Sequence, residues 1–165
     1  MKIDDLLILT YDQIDYSSLP VDALEQLALS DELFTATSAL TELSIRNSPS
    51  AASVAWEILS KALGDHFLQA RALEVLFKMN RKKTLDFMRQ QVPEYAPFML
   101  NRIMEFIMEN ARDFESEPGL SIAHLVIKRL KELDEEATSP KLEAQKNFLK
   151  LFKPEFTASA HRLAA

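Results

Sequence analysis

Apolar residues recur along this chain at intervals of three and four, and they do so over arcs too wide for a helix lying on a surface. In the stretch FLQARALEVLF, positions 67, 68, 70, 72, 73, 75, 76 and 77 are apolar, which is the pattern of a helix sandwiched between neighbours. No segment keeps up the alternation of a half-buried strand. The spacing predicts helices over 20–30, 31–46, 49–63, 65–79, 82–91, 95–112, 120–134, 140–152 and 154–163, with ends good to about 3 residues. A further helix is expected near 4–15, where Leu6, Leu7 and Leu9 share a side. Ser48-Pro49 and Ser139-Pro140 each read as a capping serine followed by proline in the first turn, where the missing N–H is harmless. Short loops between helices with broad apolar faces predict layered helical pairs rather than a simple bundle.

The pattern also repeats. A shift of 33 residues lays Phe34 on Phe67, Ala39 on Ala72, Leu40 on Leu73 and Leu43 on Leu76. The same shift lays Val54 on Phe87, Ala55 on Met88 and Leu59 on Val92, so the period runs through two successive helices.

The residues Asp65, Leu68, Ala72 and Leu76 give DHFLQARALEVL the form of the second helix of a HEAT-type repeat, which it resembles. The earlier stretch ELFTATSALTEL keeps Glu32, Ala39 and Leu43 and has Thr35 for the aliphatic residue; Gln69 and Ala36 replace the family's basic residue. The resemblance covers residues 20–112 and implies an all-α, right-handed α-α superhelix of about four helical pairs, a HEAT/armadillo-like solenoid making one domain over 1–165. It pairs 20–30 with 31–46, 49–63 with 65–79, 82–91 with 95–112 and 120–134 with 140–152, with 154–163 closing the stack. It also implies a concave binding face lined by the second helix of each pair.

Composition narrows the function. With 47% hydrophobic and 27% charged residues, 165 residues are enough to bury a core in a single domain. The absence of cysteine excludes disulfides, zinc-thiolate sites and a cysteine nucleophile, and suits a cytoplasmic protein. The amino-terminal apolar run is too short and too acidic for a signal peptide. The net charge of -6 is unevenly spread: residues 1–60 hold 2 basic and 10 acidic residues, whereas 61–90 hold 7 and 3. An acidic chain is poorly suited to nucleic acid, because neutralising phosphates requires concentrated Lys and Arg.

No catalytic constellation is legible. Gly64 and Gly119 lie too far apart for a phosphate-cradling loop, and His66, His124 and His161 lack metal-ligand spacing. Asp65 reads as the cap of its helix with His66 exposed in the first turn, and adjacent helical residues point about 100° apart. His124 flanks an apolar stripe, Trp56 reads as core filling, and the basic run Lys78, Arg81, Lys82, Lys83 reads as a solvated turn. The segment ARDFESEPG at 111–119 reads as a polar loop, a seam between two halves. No cofactor and no metal are expected.

The surface that stands out is on helix 95–112, where Glu105, Glu109 and Asp113 recur every fourth residue, Arg102 pairs with Glu105, and Met99, Ile103, Phe106 and Ile107 occupy the opposite side. The expectation is a non-enzymatic protein-binding module, with Arg102, Glu105, Glu109 and Asp113 contacting a protein partner and with no nucleic acid and no membrane involved. A small acidic chain of this build resembles bacterial toxin-immunity proteins, which implies a basic toxin domain as the partner. The alternatives are a scaffold or adaptor subunit and, behind it, a HEAT-type nucleic-acid-binding protein.

Overall fold

The computed structural model describes residues 3–135 and 142–152, and within them every regular element is a helix. In order, α1 is Ile3–Leu7, α2 Val21–Ala28, α3 Leu33–Ile45, α4 Ser50–Ser60, α5 His66–Met79, α6 Arg81–Gln91, α7 Pro97–Glu109 and α8 Gly119–Glu135. Residues 145–152 are also helical. The expected helix near 4–15 is instead α1 and two 3-10 turns, Tyr11–Gln13 and Tyr16–Ser18. The helix expected over 95–112 stops at Glu109, because Asn110 leaves helical geometry and a separate 3-10 turn, Ala111–Asp113, follows. The helix expected at 154–163, His161 and the Ser139-Pro140 start signal lie outside the described residues. No helix among the described residues is long and apolar enough to cross a membrane.

The chain divides into two compact units, one ending at Thr84 and the other beginning at Leu85, with the boundary inside α6. In the first unit α2 packs on α3 and α4 on α5, while α3 lies beside α5 and α2 beside α4. The burial pattern repeats accordingly. Thr35, Ala39, Leu40 and Leu43 of α3 are buried, and so are Leu68, Ala72, Leu73 and Leu76 of α5, at the expected shift of 33. Thr35 thus fills the aliphatic place. For α2 and α4 the shift is 31, Ala23, Leu24, Leu27 and Ala28 matching Val54, Ala55, Ile58 and Leu59.

Helix ends follow local chemistry. Asp65 caps α5 by accepting the N–H groups of Phe67 and Leu68 at 3.1 and 3.0 Å, and Glu32 caps α3 by accepting that of Thr35 at 2.7 Å. Before α4, Pro49 is already in helical conformation and the Ser48 carbonyl accepts the Ala51 N–H. The far ends of α3 and α4 close alike: Ser48 N–H reaches Leu43 O at 3.0 Å and Leu63 N–H reaches Ile58 O at 2.9 Å, with Asn47 (φ 51°) and Ala62 (φ 50°) in the left-handed conformation that such closures need. Beyond α3, Arg46 binds Glu42 at 2.7 Å and donates to the carbonyls of Leu19, Tyr16 and Ser17 at 2.7, 2.8 and 2.9 Å. One guanidinium therefore ties the turn Tyr16–Ser18 and Leu19 to the end of α3.

In the second unit α7 and the 3-10 turn Val92–Glu94 both pack on α8. Arg129 Nε donates to Tyr95 O at 3.1 Å, and Asn101 Oδ1 accepts the Ala144 N–H at 3.0 Å, fastening the segment 142–152. The polar stretch 111–119 is an ordered corner of this unit rather than a seam. Phe114 is fully buried edge-on to Phe106, and a side chain at Gly119 would meet Asp113 O at 2.0 Å.

Ala62 sits in a conformation that costs a non-glycine residue about 1–2 kcal/mol, against about 0.5–1 kcal/mol for glycine's extra freedom when unfolded. The first exceeds the second, so Ala62→Gly is expected to raise stability by about 0.5–1 kcal/mol, measured as a higher urea midpoint at unchanged slope. Arg46→Met, which removes the side-chain donor to three carbonyls and to Glu42, is expected to lower it by about 1–2 kcal/mol in the same measurement.

Candidate functional site

The residues expected to form a binding wall run from the middle of α7 to just past its end. Arg102 Nη1 binds Glu105 Oε2 at 2.7 Å, and Asn101 Nδ2 donates to Glu105 Oε1 at 3.2 Å, so this carboxylate is held from two sides. Glu109 is exposed at the last position of the helix. Asp113 belongs to the next turn, beyond the break at Asn110, so the four-residue spacing does not continue as one straight row on a helix. Met99, Ile103, Phe106 and Ile107 are buried, as the amphipathic pattern required.

A second surface was not legible in the sequence. Phe34 and Phe67, superposed by the 33-residue shift, fall at the second positions of α3 and α5 and are 64% and 52% exposed. Tyr11, 46% exposed, stacks on Phe34 with centroids 5.0 Å apart and planes 28° apart. The ends of α3 and α5 are neighbours, since a side chain at Gly64 would come within 3.1 Å of Leu33 Cδ2. Between the turns that lead into these helices lies a recess of about 80 Å³ lined by Ala28, Leu29, Leu33, Leu63, Leu68 and Asp31. In the second unit Phe98 takes the same second position in α7 and is 63% exposed.

Charge follows the helix axes in the first unit. Asp31, Glu32 and Asp65 stand at the amino-terminal ends of α3 and α5, while Arg46, Lys78, Arg81, Lys82 and Lys83 stand at or just beyond their carboxy-terminal ends, the distribution the helix dipole favours. Between residues 3 and 45 there are nine acidic residues and no Lys or Arg. The basic run is not simply solvated: Lys78 Nζ donates to Ser44 O at 3.3 Å, Arg81 lies 5.7 Å from the Phe77 ring centre, and Lys83 lies 3.8 Å from that of Trp56. Trp56 is half-buried rather than a core residue, one face being roofed by that ammonium.

Among the described residues, His66, His124 and Tyr95 lie apart on α5, α8 and the turn before α7. His66 is half-buried, its ring tilted against Phe67 at 4.2 Å, while Asp65 is committed to capping; His124 is half-buried on α8. Burial pushes the Tyr95 phenol well above its ordinary value, and its hydroxyl has no hydrogen-bond partner among the described residues. Among the described residues no three His, Asp or Glu side chains are grouped to hold a metal ion. Comparison of the chain with protein families, curated proteins and solved structures found no match.

The Glu32 carboxyl is held below its ordinary value of 4.5, first by the Thr35 side chain and then by the Thr35 backbone N–H. A pKa lowered on folding gives stability that is complete above 4.5 and is lost as the pH falls through the folded-state value. Glu32→Ala is therefore expected to cost about 1 kcal/mol at neutral pH. The gap between the two proteins should close in acid below 4.5, as read from urea unfolding at a series of pH values.

Proposed function

We propose that this chain is a non-enzymatic protein-binding module of the cytoplasm, a short HEAT-like stack of helical pairs that acts as an immunity or inhibitor protein by capturing a basic domain of another protein. The observation that carries the reading is the run from residue 3 to residue 45, nine acidic residues without one cation, beside aromatic side chains left exposed. Buried carboxylate pairs or a polar cleft would suit catalysis; exposed aromatics beside an acidic stretch suit recognition, with aromatics as anchors and charge as steering. The HEAT-like part of the reading draws on the pairing of α2 with α3 and of α4 with α5, and on buried positions that return after 31 and 33 residues.

On this reading the acidic residues of the first unit attract the partner, and Glu105, Glu109 and Asp113 of the second unit act on the association rate rather than as a tight anchor. Exposed carboxylates act mainly on the association rate and are screened beyond about 8–10 Å at physiological salt. A scaffold or adaptor role is the second reading, favoured by one feature: exposed phenylalanines at matching places in α3, α5 and α7, more apolar surface than a purely electrostatic inhibitor needs.

Affinity purification from the native host separates the two. A single basic domain in the eluate supports the inhibitor, a stable set of housekeeping subunits supports the scaffold, and an empty eluate counts against both. With the recovered partner, Glu105→Lys, Glu109→Lys and Asp113→Lys combined are expected to slow association about tenfold at low salt and little at high salt, by stopped-flow or surface plasmon resonance. An unchanged rate would remove the α7 residues from the binding face.

A further inference from the structure

The amino-terminal ends of α3 and α5 bring together four things: a recess, two exposed phenylalanines, a stacked tyrosine and a set of carboxylates. Leu33 and Leu68 line the recess, and their sequence neighbours Phe34 and Phe67 stand outside it, so the apolar floor continues onto exposed aromatic surface. Its volume of about 80 Å³ is roughly half that of a cavity that holds benzene, about 150 Å³. One aliphatic side chain fits such a space; a phenyl ring does not.

Charge decides what accompanies that side chain. Two helix amino termini contribute about half a positive charge each, and Asp31, Glu32 and Asp65 together outweigh them about threefold. The nearest lysine in sequence, Lys61, is tied to Glu57 at 2.6 Å. The faces of exposed aromatic rings also attract guanidinium and ammonium groups. Both effects select a cation.

Building on the protein-binding reading, we infer that this end of the first unit seats a basic segment of a partner protein, with a leucine-sized side chain in the recess and flanking Arg or Lys residues against Asp31, Glu32, Asp65 and the rings of Phe34 and Phe67. Tyr11, stacked on Phe34, extends the platform to one side.

The test titrates the full chain with three short synthetic peptides by calorimetry: one of Lys and Leu, one with Glu in place of Lys, and one with Ser in place of Leu. The Lys-Leu peptide is expected to bind at least about tenfold more tightly than either control. Phe34→Ser with Phe67→Ser, both exposed and so compatible with folding, is expected to weaken it about tenfold at an unchanged urea midpoint. Asp31→Lys, on an exposed turn, serves as a second variant and should weaken the Lys-Leu peptide while strengthening the Glu-Leu peptide. Equal binding of the Ser and Leu peptides, or no loss in both variants, overturns this surface. So does a self-associated wild-type protein that the phenylalanine variant converts to monomer, because the patch would then be covered by a second copy. A host partner retained equally by wild type and variant overturns the surface but leaves the protein-binding reading intact. Failure to recover any partner while the Lys-Leu peptide still binds here counts against that reading alone.

Discussion

In the first unit everything leans on α3. It touches α2, α4, α5 and both amino-terminal 3-10 turns, and a helix with so many neighbours must be apolar over a broad arc and slim where another helix passes close. Ala36, Ala39, Leu40 and Leu43 meet that demand, the alanines permitting close approach and the leucines filling the space left over. Thr37 and Thr41 sit half-buried because each hydroxyl is returned to the preceding turn, on Leu33 O and Thr37 O, both at 2.7 Å. The cap at Glu32 and the closure at Asn47 then fix where α3 begins and ends, and its neighbours inherit their positions from that.

The buried half of this arrangement was legible in the sequence because it obeys a period. Leu68, Ala72 and Leu76 recur in Thr35, Ala39 and Leu43, and a carboxylate precedes each set, so the capped second helices could be read off spacing alone. Two kinds of detail escaped. Where the first helices are concerned, the expected match of Val54 with Phe87 fails, since Phe87 is only half-buried, and the buried Thr84, Leu85 and Met88 correspond instead to Val54, Ala55 and Ile58. The short amino-terminal turns also escaped, because Tyr16–Ser18 is held by Arg46 and Tyr11 by the ring of Phe34, both from far along the chain, and neither turn carries a periodic signal of its own.

The candidate surfaces were less legible for a related reason. A wide apolar arc does not disclose which of its residues lies in the first turn, where a helix projects past its neighbours, and Phe34 and Phe67 are in that turn. Four-residue spacing, likewise, assumes an unbroken helix, and Asn110 ends it between Glu109 and Asp113. Trp56 shows the same limit: its residue type argued for the core, while a lysine from the start of α6 shields one face of the ring from outside. Arg102 with Glu105, by contrast, was readable because an i, i+3 pair needs only one turn of helix.

The separation of charge along α3 and α5 has a kinetic meaning apart from affinity. With carboxylates at one end of the pair and cations at the other, the side chains of the first unit form an electric dipole of their own, directed against the smaller dipole of the helix backbones and outweighing it. A positively charged body drifting nearby exerts a torque on it before any atoms touch. The unit would turn until Phe34 and Phe67 faced the visitor, so that random collisions are converted into encounters already in the right orientation.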